Sequence, residues 1–422
     1  LRRQVETNQI RLERGQITIS DLAQSESSLA GAQAQFIQVK NEVITNKLNY
    51  ENIIGKIFNP SDLKKSSEAH VSIPQGLSNA INLSKKNNPD ITISKLELEQ
   101  SIKDIEIATN RVVEAIKNKQ KIGIIADYDV DGSTSASILY KFLKNFNLKI
   151  FLKIPNRLKD GYGPNIKLMK EMLNNNVELL FTLDCGTSSN GIIDNKDFKK
   201  IDVIVIDHHL SEINLPNVLA IINPNRFDDN SDYKQLAAVG VTFLFLMYLR
   251  KKLRELKLFK ENKEPNLLAY LDLVALGTVC DVVELKYYNR LFVKKGLELI
   301  HKRHNKGITK LIDNSTLTSP PTSQDLGFIV GPQINAASRI DDSALATQLL
   351  ISNDIEKIDL ISRKLFLLNE KRKLIENQIL EIAKDQASKQ IHSKFIILYG
   401  NNWHQGVLGI IASKITDIYY KP

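Results

Sequence analysis

Lys121-Ile-Gly-Ile-Ile-Ala126-Asp127-Tyr-Asp129-Val-Asp131-Gly132 is the stretch on which the fold turns. Its first half is short, β-branched and apolar on both faces, as expected of a strand buried on both sides in a parallel sheet. Its second half places aspartates at alternate positions, then a glycine, where the chain leaves that strand. The same grammar returns twice. Leu179-Leu-Phe-Thr-Leu183 runs into Asp184-Cys-Gly186, and Val203-Ile-Val-Ile206 runs into Asp207-His208-His209. A fourth cluster is Asp281 within Gly277-Thr-Val-Cys-Asp281-Val-Val. From about residue 111, strand patterns alternate with helical ones, which predicts an α/β fold with a doubly wound parallel sheet. Ligands of such sheets bind outside the carboxyl ends of the strands. Five or six oxygen and imidazole donors converging there would make a divalent-metal site, with two ions expected.

The aspartates at 127, 129 and 131 followed by Gly132 also open a calcium loop of the EF-hand type. That loop needs a glutamate at its twelfth position, where this chain has Ile138. A strand rather than a helix also precedes it. At a strand end, alternate aspartates point the same way and reach one or two ions. Gly132-Ser-Thr-Ser135 then starts a helix whose first amides, around Ser133, favour a phosphate. Neighbouring side chains on extended backbone face opposite ways, so His208 and His209 divide their work. One goes to metal and the other to a substrate phosphate or leaving oxygen. Asp281 is either the last carboxylate of the site or a helix N-cap. No Ser-His-Asp arrangement, Walker A loop or dinucleotide GxGxxG competes. The chemistry indicated is metal-assisted phosphoester hydrolysis without a covalent intermediate.

With 422 residues, 42% hydrophobic and 25% charged, the chain has the composition of a globular protein with more than one core. A net charge of +9 suits a polyanionic partner, although a Lys- and Asn-rich composition also follows from an AT-rich genome. The two cysteines, Cys185 and Cys280, sit inside the acidic clusters and suggest a reducing compartment. No stretch is long enough for a membrane span, so no membrane partner is expected for this part. Before residue 107 the pattern differs. Leu22, Leu29, Phe36, Val43 and Tyr50 recur every seven residues, predicting a long, coiled-coil-like helix that could pair with others, from an N-cap at Ser20 to a stop at Gly55. Helical spacing is expected again from about Gly76 and through Leu96, Leu98, Ile102 and Ile105. Residues 356–389 predict a long charged helix, and Phe395-Ile-Ile-Leu398 a new strand.

Asp127-Tyr-Asp-Val-Asp-Gly132, Leu183-Asp-Cys-Gly186, Ile206-Asp-His-His209 and Ala275-Leu-Gly-Thr-Val-Cys-Asp281 are similar to the four motifs of the DHH phosphoesterases. Ile154-Pro-Asn-Arg157, Asp160-Gly-Tyr-Gly163, Gly331-Pro-Gln-Ile-Asn-Ala-Ala337 and Trp403-His404 narrow the resemblance to the RecJ branch of that family. The resemblance implies a 5′ to 3′ exonuclease for single-stranded DNA, serving repair and recombination with two manganese or magnesium ions. It implies Asp127, Asp129, Asp131, Asp184, His208 and Asp281 as metal ligands, with two of the first three directly bound. His209 and Asp131 become catalytic candidates. Arg157, Tyr162, Ser133, Asn335, Arg339 and His404 become contacts to the strand. A small-substrate phosphoesterase of the same family is the alternative. Cys280, Glu284, Gln333 and Ser338 depart from the usual Ala, Pro, Arg and Gly, and Gln333 is expected to weaken a phosphate contact.

Leu12-Glu-Arg-Gly15 to Ile54-Gly55, and Ala80-Ile81 to Asn88-Pro89-Asp90-Ile91, resemble the TolC family of outer-membrane channels. The expected organisation is therefore a TolC-like helical fragment at 1–107, a DHH catalytic domain at 108–300, a helical connector at 301–390 and the start of a second α/β domain at 391–422. The mixture reads as a fusion, inactive in the limiting case and truncated at its end. The nuclease part is expected to act in the cytoplasm as a monomer, whereas the helical fragment alone would suggest the cell envelope.

Overall fold

The computed structural model describes residues 1–54 apart from 15, 17 and 18, and residues 102–422 apart from 260–263 and 316. It divides into two compact units, Leu1–Ser84 and Lys85–Pro422. The described part of the first unit is two helices, α1 (Arg2–Glu13) and α2 (Ile19–Ile54), joined side by side where Asn8 Nδ2 donates to Ser25 Oγ at 2.7 Å. Because α2 starts at Ile19, Ser20 lies inside the helix rather than capping it. Along the seven-residue stripe Leu22 and Leu29 are half-buried, whereas Phe36 and Val43 are exposed. Gly55 and the helical stretch expected at 76–101 lie outside the described residues.

The described part of the second unit begins with α3 (Ile105–Lys117) and continues through β1 (Ile122–Ala126), α4 (Val130–Lys144), β2 (Ile150–Lys153), α5 (Ile166–Asn174), β3 (Leu179–Leu183), β4 (Asp202–Ile206) and β5 (Ala220–Ile222). The five strands form one sheet in the order β2-β1-β3-β4-β5, and every pairing is parallel. The strands sort their side chains by parity, as pleating requires. Ile122, Ile124, Leu179, Phe181, Ile204 and Ile206 enter one core, and Ile125, Leu180, Val203 and Val205 enter the core on the opposite face. A sheet buried on both faces is the doubly wound α/β arrangement that the continuous apolar runs predict.

Helices complete the larger core: α6 (Ala238–Glu255), α7 (Leu271–Cys280), α8 (Tyr287–His301), α9 (Lys306–Asp313), α10 (Gly331–Ile340), α11 (Ala344–Ile351) and the first part of α12 (Ile355–Ser388). Ile308, Leu311, Ile334, Leu345, Ile358 and Leu365 belong to the same apolar cluster as the sheet. The described residues of 301–365 thus pack on the same core as the sheet. The second half of α12 changes allegiance, since Ile379, Ala383 and Ala387 pack with Val407, Ile411 and Ile415 of α13 (Gln405–Tyr419) in a separate small cluster.

The strand expected at Phe395-Ile-Ile-Leu398 is absent. That segment finds no strand to pair with among the described residues, and side chains from the end of α12 and the turn just after it take up backbone groups instead. Gln390 bonds both the N–H and the carbonyl of Ile397, at 3.0 and 2.9 Å, and Gln386 does the same for Tyr399, at 3.1 and 2.7 Å.

Candidate metal centre

The hydrogen-bond ladder runs one residue past each strand and sets the site. Asp127 N–H donates to Leu183 O at 3.0 Å, Asp184 N–H to Ile206 O at 2.9 Å and Asp207 N–H to Ile222 O at 3.1 Å. Three aspartates from β1, β3 and β4, with Asn223 after β5, therefore stand level along one edge. That edge includes the β1–β3 switch point, where open α/β sheets bind ligands. Asp184 turns the chain with φ of 59°, a left-handed value that is strained for a non-glycine residue and recurs at functional sites.

Asp129 caps α4, its Oδ1 accepting from Gly132 N–H at 3.0 Å. Gly132 is required there: a Cβ would lie 2.4 Å from Asp127 O. Asp131 is 1% exposed, and its two oxygens receive the Ala238 and Val239 N–H groups at 2.6 and 2.9 Å. It thereby caps α6 from another element while facing the site. Asp281 stands at the C-terminal end of α7, where its N–H donates to Gly277 O at 2.9 Å, so it closes a helix and is no N-cap.

These side chains meet in three overlapping groups, the potential ligand atoms of each lying within 4.8 Å of one another: Asp127, Asp129 and Asp184; Asp131, His208 and Asp281; and Asp184, His208 and His209. His208 Nε2 is 3.4 Å from Asp184 Oδ1, 3.5 Å from Asp281 Oδ2 and 3.9 Å from Asp131 Oδ2. All six expected ligands thus come together, and Asp184 and His208 each belong to two groups.

The electrostatics of these groups favour a bound cation. Burial, then repulsion from Asp129, raises Asp127 to about 7, and the same two causes raise Asp281 to about 7. Burial and the Asp281 charge push Asp131 well above the carboxylate range, and burial and Asp131 do so for Asp184. Burial, followed by the neighbouring His209, lowers His208 and favours its neutral, ligating form. Asp127 Oδ1, Asp184 Oδ1, His208 Nε2 and Asp281 Oδ2 are buried without a hydrogen-bond partner. Buried polar atoms are rarely left so. Carboxylate oxygens with one neutral imidazole nitrogen suit hard divalent ions such as magnesium or manganese, so the donor set fits the group.

His209 is built differently. Its Nδ1 lies 2.7 Å from Asp207 Oδ1, and this bond is the main reason that its pKa is raised. Asp207, which the sequence offered only as part of a cluster, also accepts the N–H groups of Thr187 and His208 at 3.1 and 2.8 Å. Burial would raise its carboxyl, but the His209 and Thr187 bonds hold it at about 2. Asn223 and Asn225 also went unread. Their amides donate to the carbonyls of His209 and His208 at 2.9 and 2.6 Å, fixing the backbone of both histidines. The available signal was Ala220-Ile-Ile-Asn223, a fifth apolar run ending in a polar residue.

Among the expected substrate contacts, Tyr162 donates its hydroxyl to Asp184 O at 3.0 Å and sets its ring edge-on to His209, with centroids 6.3 Å apart. The Arg157 guanidinium lies 5.2 Å from the Tyr128 ring centroid. Ser133 is fully buried at the start of α4 with its hydroxyl unpartnered. Asn335 and Arg339 lie on α10 and His404 at the start of α13. Arg339 donates to Gly406 O at 3.1 Å, and His404 Nδ1 caps α13 by accepting from Gly406 N–H at 3.1 Å. Asn335 also carries an unpartnered buried oxygen. Gln333 is buried away from solvent and donates to Leu311 O and Ile329 O at 3.2 and 3.1 Å.

Comparison with known proteins agrees with this geometry. The model of the DHH family, N-terminal domain, matches residues 121–278. The single-stranded-DNA-specific exonuclease RecJ of Haemophilus influenzae is 38% identical over 342 residues, covering 79% of this chain and 59% of the relative. RecJ of Escherichia coli is 35% identical over 348 residues, covering 78% and 60%. The chain thus spans about 60% of the length of these curated relatives. A crystal structure of exonuclease RecJ bound to manganese superposes with a TM-score of 0.68 at 30% identity, covering 76% of this chain and 79% of that one. The manganese complex of RecJ from Thermus thermophilus gives 0.66 at 29% identity, covering 76% and 45%.

Proposed function

Since the chain belongs to the RecJ family of DHH phosphoesterases, we propose that it hydrolyses phosphodiester bonds of single-stranded DNA from the 5′ end, using two manganese or magnesium ions. One observation carries the reading: donors from three strand ends and one helix end form overlapping groups, in which buried atoms of Asp127, Asp184, His208 and Asp281 lack any other partner. Asp127 and Asp129 would hold one ion, Asp131 and Asp281 the other, with Asp184 and His208 reaching across. When bound, such ions lower the pKa of a water and neutralise charge on the phosphate.

The chain's own groups supply the rest. Asp207 holds His209 Nδ1 and keeps a proton on the ring, so Nε2 can donate to a phosphate or a departing oxygen. Asp131, fixed by α6, keeps one wall of the site from moving. The amides at the start of α4, near Ser133, favour a phosphate there. Arg157, Tyr162 and Arg339 would follow the strand away from the scissile bond, with Asn335 and His404 behind them. We place this activity in the cytoplasm, in a monomer. No described helix is long and apolar enough to cross a membrane. The helices of residues 1–54 we read as a TolC-like fragment able to pair with other helices.

The test is manganese-dependent release of mononucleotides from 5′-labelled single-stranded DNA by the full chain. Duplex DNA and dinucleotides serve as competing substrates, and Asp184→Ala as the control. Preference for dinucleotides over long strands would overturn the reading in favour of a small-substrate enzyme.

A further inference from the structure

Helices α4 and α7 connect the metal centre to a second polar cluster at their other ends. Asp131 lies in the first turn of α4 and Lys141 in its last, about 15 Å along the axis at about 1.5 Å per residue. α7 runs the opposite way, with Asp272 in its first turn and Asp281 at its C-terminal cap. At the far ends, Lys141, Asp272, His304, Asn305, Lys306 and Asn353 line a pocket of about 230 Å³.

The charges in this pocket do not balance. Asp272 is 1% exposed and both its oxygens are engaged, Oδ1 by Leu273 N–H at 2.7 Å and Oδ2 by His304 Nδ1 at 3.2 Å. That contact raises the His304 pKa and leaves Nε2 without a partner among the described residues. Lys141 is half-buried, and no carboxylate of the described residues comes within ion-pair distance of it. A lysine in the last turn of a helix suits the helix dipole, but the dipole gives no reason to bury it. Burial lowers its pKa, with the Asp272 charge pulling the other way. Lys306 opens α9, whose first amides face the same end, Asn305 capping only Ile308 N–H at 3.1 Å. Lys141 and a readily protonated imidazole thus flank one carboxylate that is already used, and Lys306 lines the same pocket.

We infer that this pocket is an oxyanion site for a phosphate dianion, whether free or carried by a mononucleotide. Three cationic donors converge on it from α4, the His304 turn and the start of α9, and helix N-termini favour such anions. The volume is below the ~300 Å³ at which drug-sized pockets begin, which suits a phosphate and part of a sugar rather than a whole base. The groups that face the ligand are Lys141, Asp272, His304 and Lys306, and the Asp272 bond raises the His304 pKa. Binding therefore weakens as pH rises past the raised His304 pKa.

The experiment is calorimetric titration of the full chain with inorganic phosphate, in chelator so that no divalent ion draws phosphate to the metal centre. Saturable binding is expected, weakened at least tenfold by Lys141→Met and by His304→Ala and unchanged by Asp184→Asn. His304 is exposed, so its variant folds even if the Lys141 variant does not. A parallel titration with a 5′-mononucleotide separates the sources: tighter binding identifies a nucleotide and equal binding free phosphate, both in support. No saturable binding at millimolar phosphate, or binding indifferent to both substitutions, overturns the inference.

Discussion

Asp184 and Asp207 follow adjacent strands, stand level in register and are equally buried, at 2% exposure each. Yet the Asp184 carboxyl is pushed well above its usual range while that of Asp207 is held at about 2. Burial acts on both in the same direction, so the difference lies in what surrounds them. At the β1–β3 end, Asp184 meets Asp131, Asp129 and Asp127, and its Oδ1 has no donor. At the β4–β5 end, Asp207 is surrounded by N–H groups and by His209. One region is completed only by added cations. The other is complete already and serves to hold an imidazole.

Substitutions should therefore separate the two ends. Asp184→Asn is expected to reduce manganese-dependent nucleotide release by about 10³-fold, equivalent to roughly 4 kcal/mol. It should also raise the Tm of the chelated protein, because it removes a charge that burial disfavours. A variant that loses activity and stability together would break the comparison. Asp207→Asn is expected to lower activity by about 10- to 100-fold, the range for groups that orient functional histidines. It should lower Tm as well and shift the alkaline limb of the pH–rate profile downward, since His209 loses the partner that raises its pKa. An unmoved pH profile would deny His209 its part as proton donor.

Gly277→Ala tests whether the carboxylates depend on the packing behind them. A Cβ at this position would lie 2.3 Å from Thr134 Oγ1 and 3.1 Å from Asp131 Oδ1. Overpacking of this kind costs about 1–3 kcal/mol, and here it should also weaken manganese binding in a titration. The smallest effect is that of pH on the chelated wild type. Burial and repulsion from Asp129 raise the Asp127 and Asp281 carboxyls to about 7, far above the usual carboxylate range. The stability they contribute is complete below about 4 and is lost as pH rises through 7. Tm without metal should fall between pH 5 and 8 by calorimetry, and added manganese should restore it most at pH 8. Asp207, with a depressed pKa, acts oppositely, losing its contribution only as pH falls towards 2.

The same comparison explains what the sequence disclosed. Strands β1, β3 and β4 were legible because continuous apolar runs report burial on both faces, and the carboxylates behind them follow from sheet topology. β2 is only half-buried and β5 has three residues, so neither stands out by composition. With β5 unread, Asn223 and Asn225 were unread too. The clamp on His209 was hidden because hydrogen bonds from Thr187 and Asn223 join segments that no local pattern links. Phe395-Ile-Ile-Leu398 shows the converse failure. Its residues favour a strand, but a strand also needs a neighbour, and here two glutamines stand in for one.

The one-residue continuation of the ladder beyond β1, β3 and β4 also governs when the centre can exist. Each strand-end aspartate hangs from the final carbonyl of the strand beside it, so a slip of one residue would turn its carboxylate to the opposite face. Pairing must reach from residue 122 to residue 222 before the ligand groups coincide. Contacts so distant along the chain form late and slowly. A nascent or partly unfolded copy thus carries the aspartates of the site and still has no assembled centre.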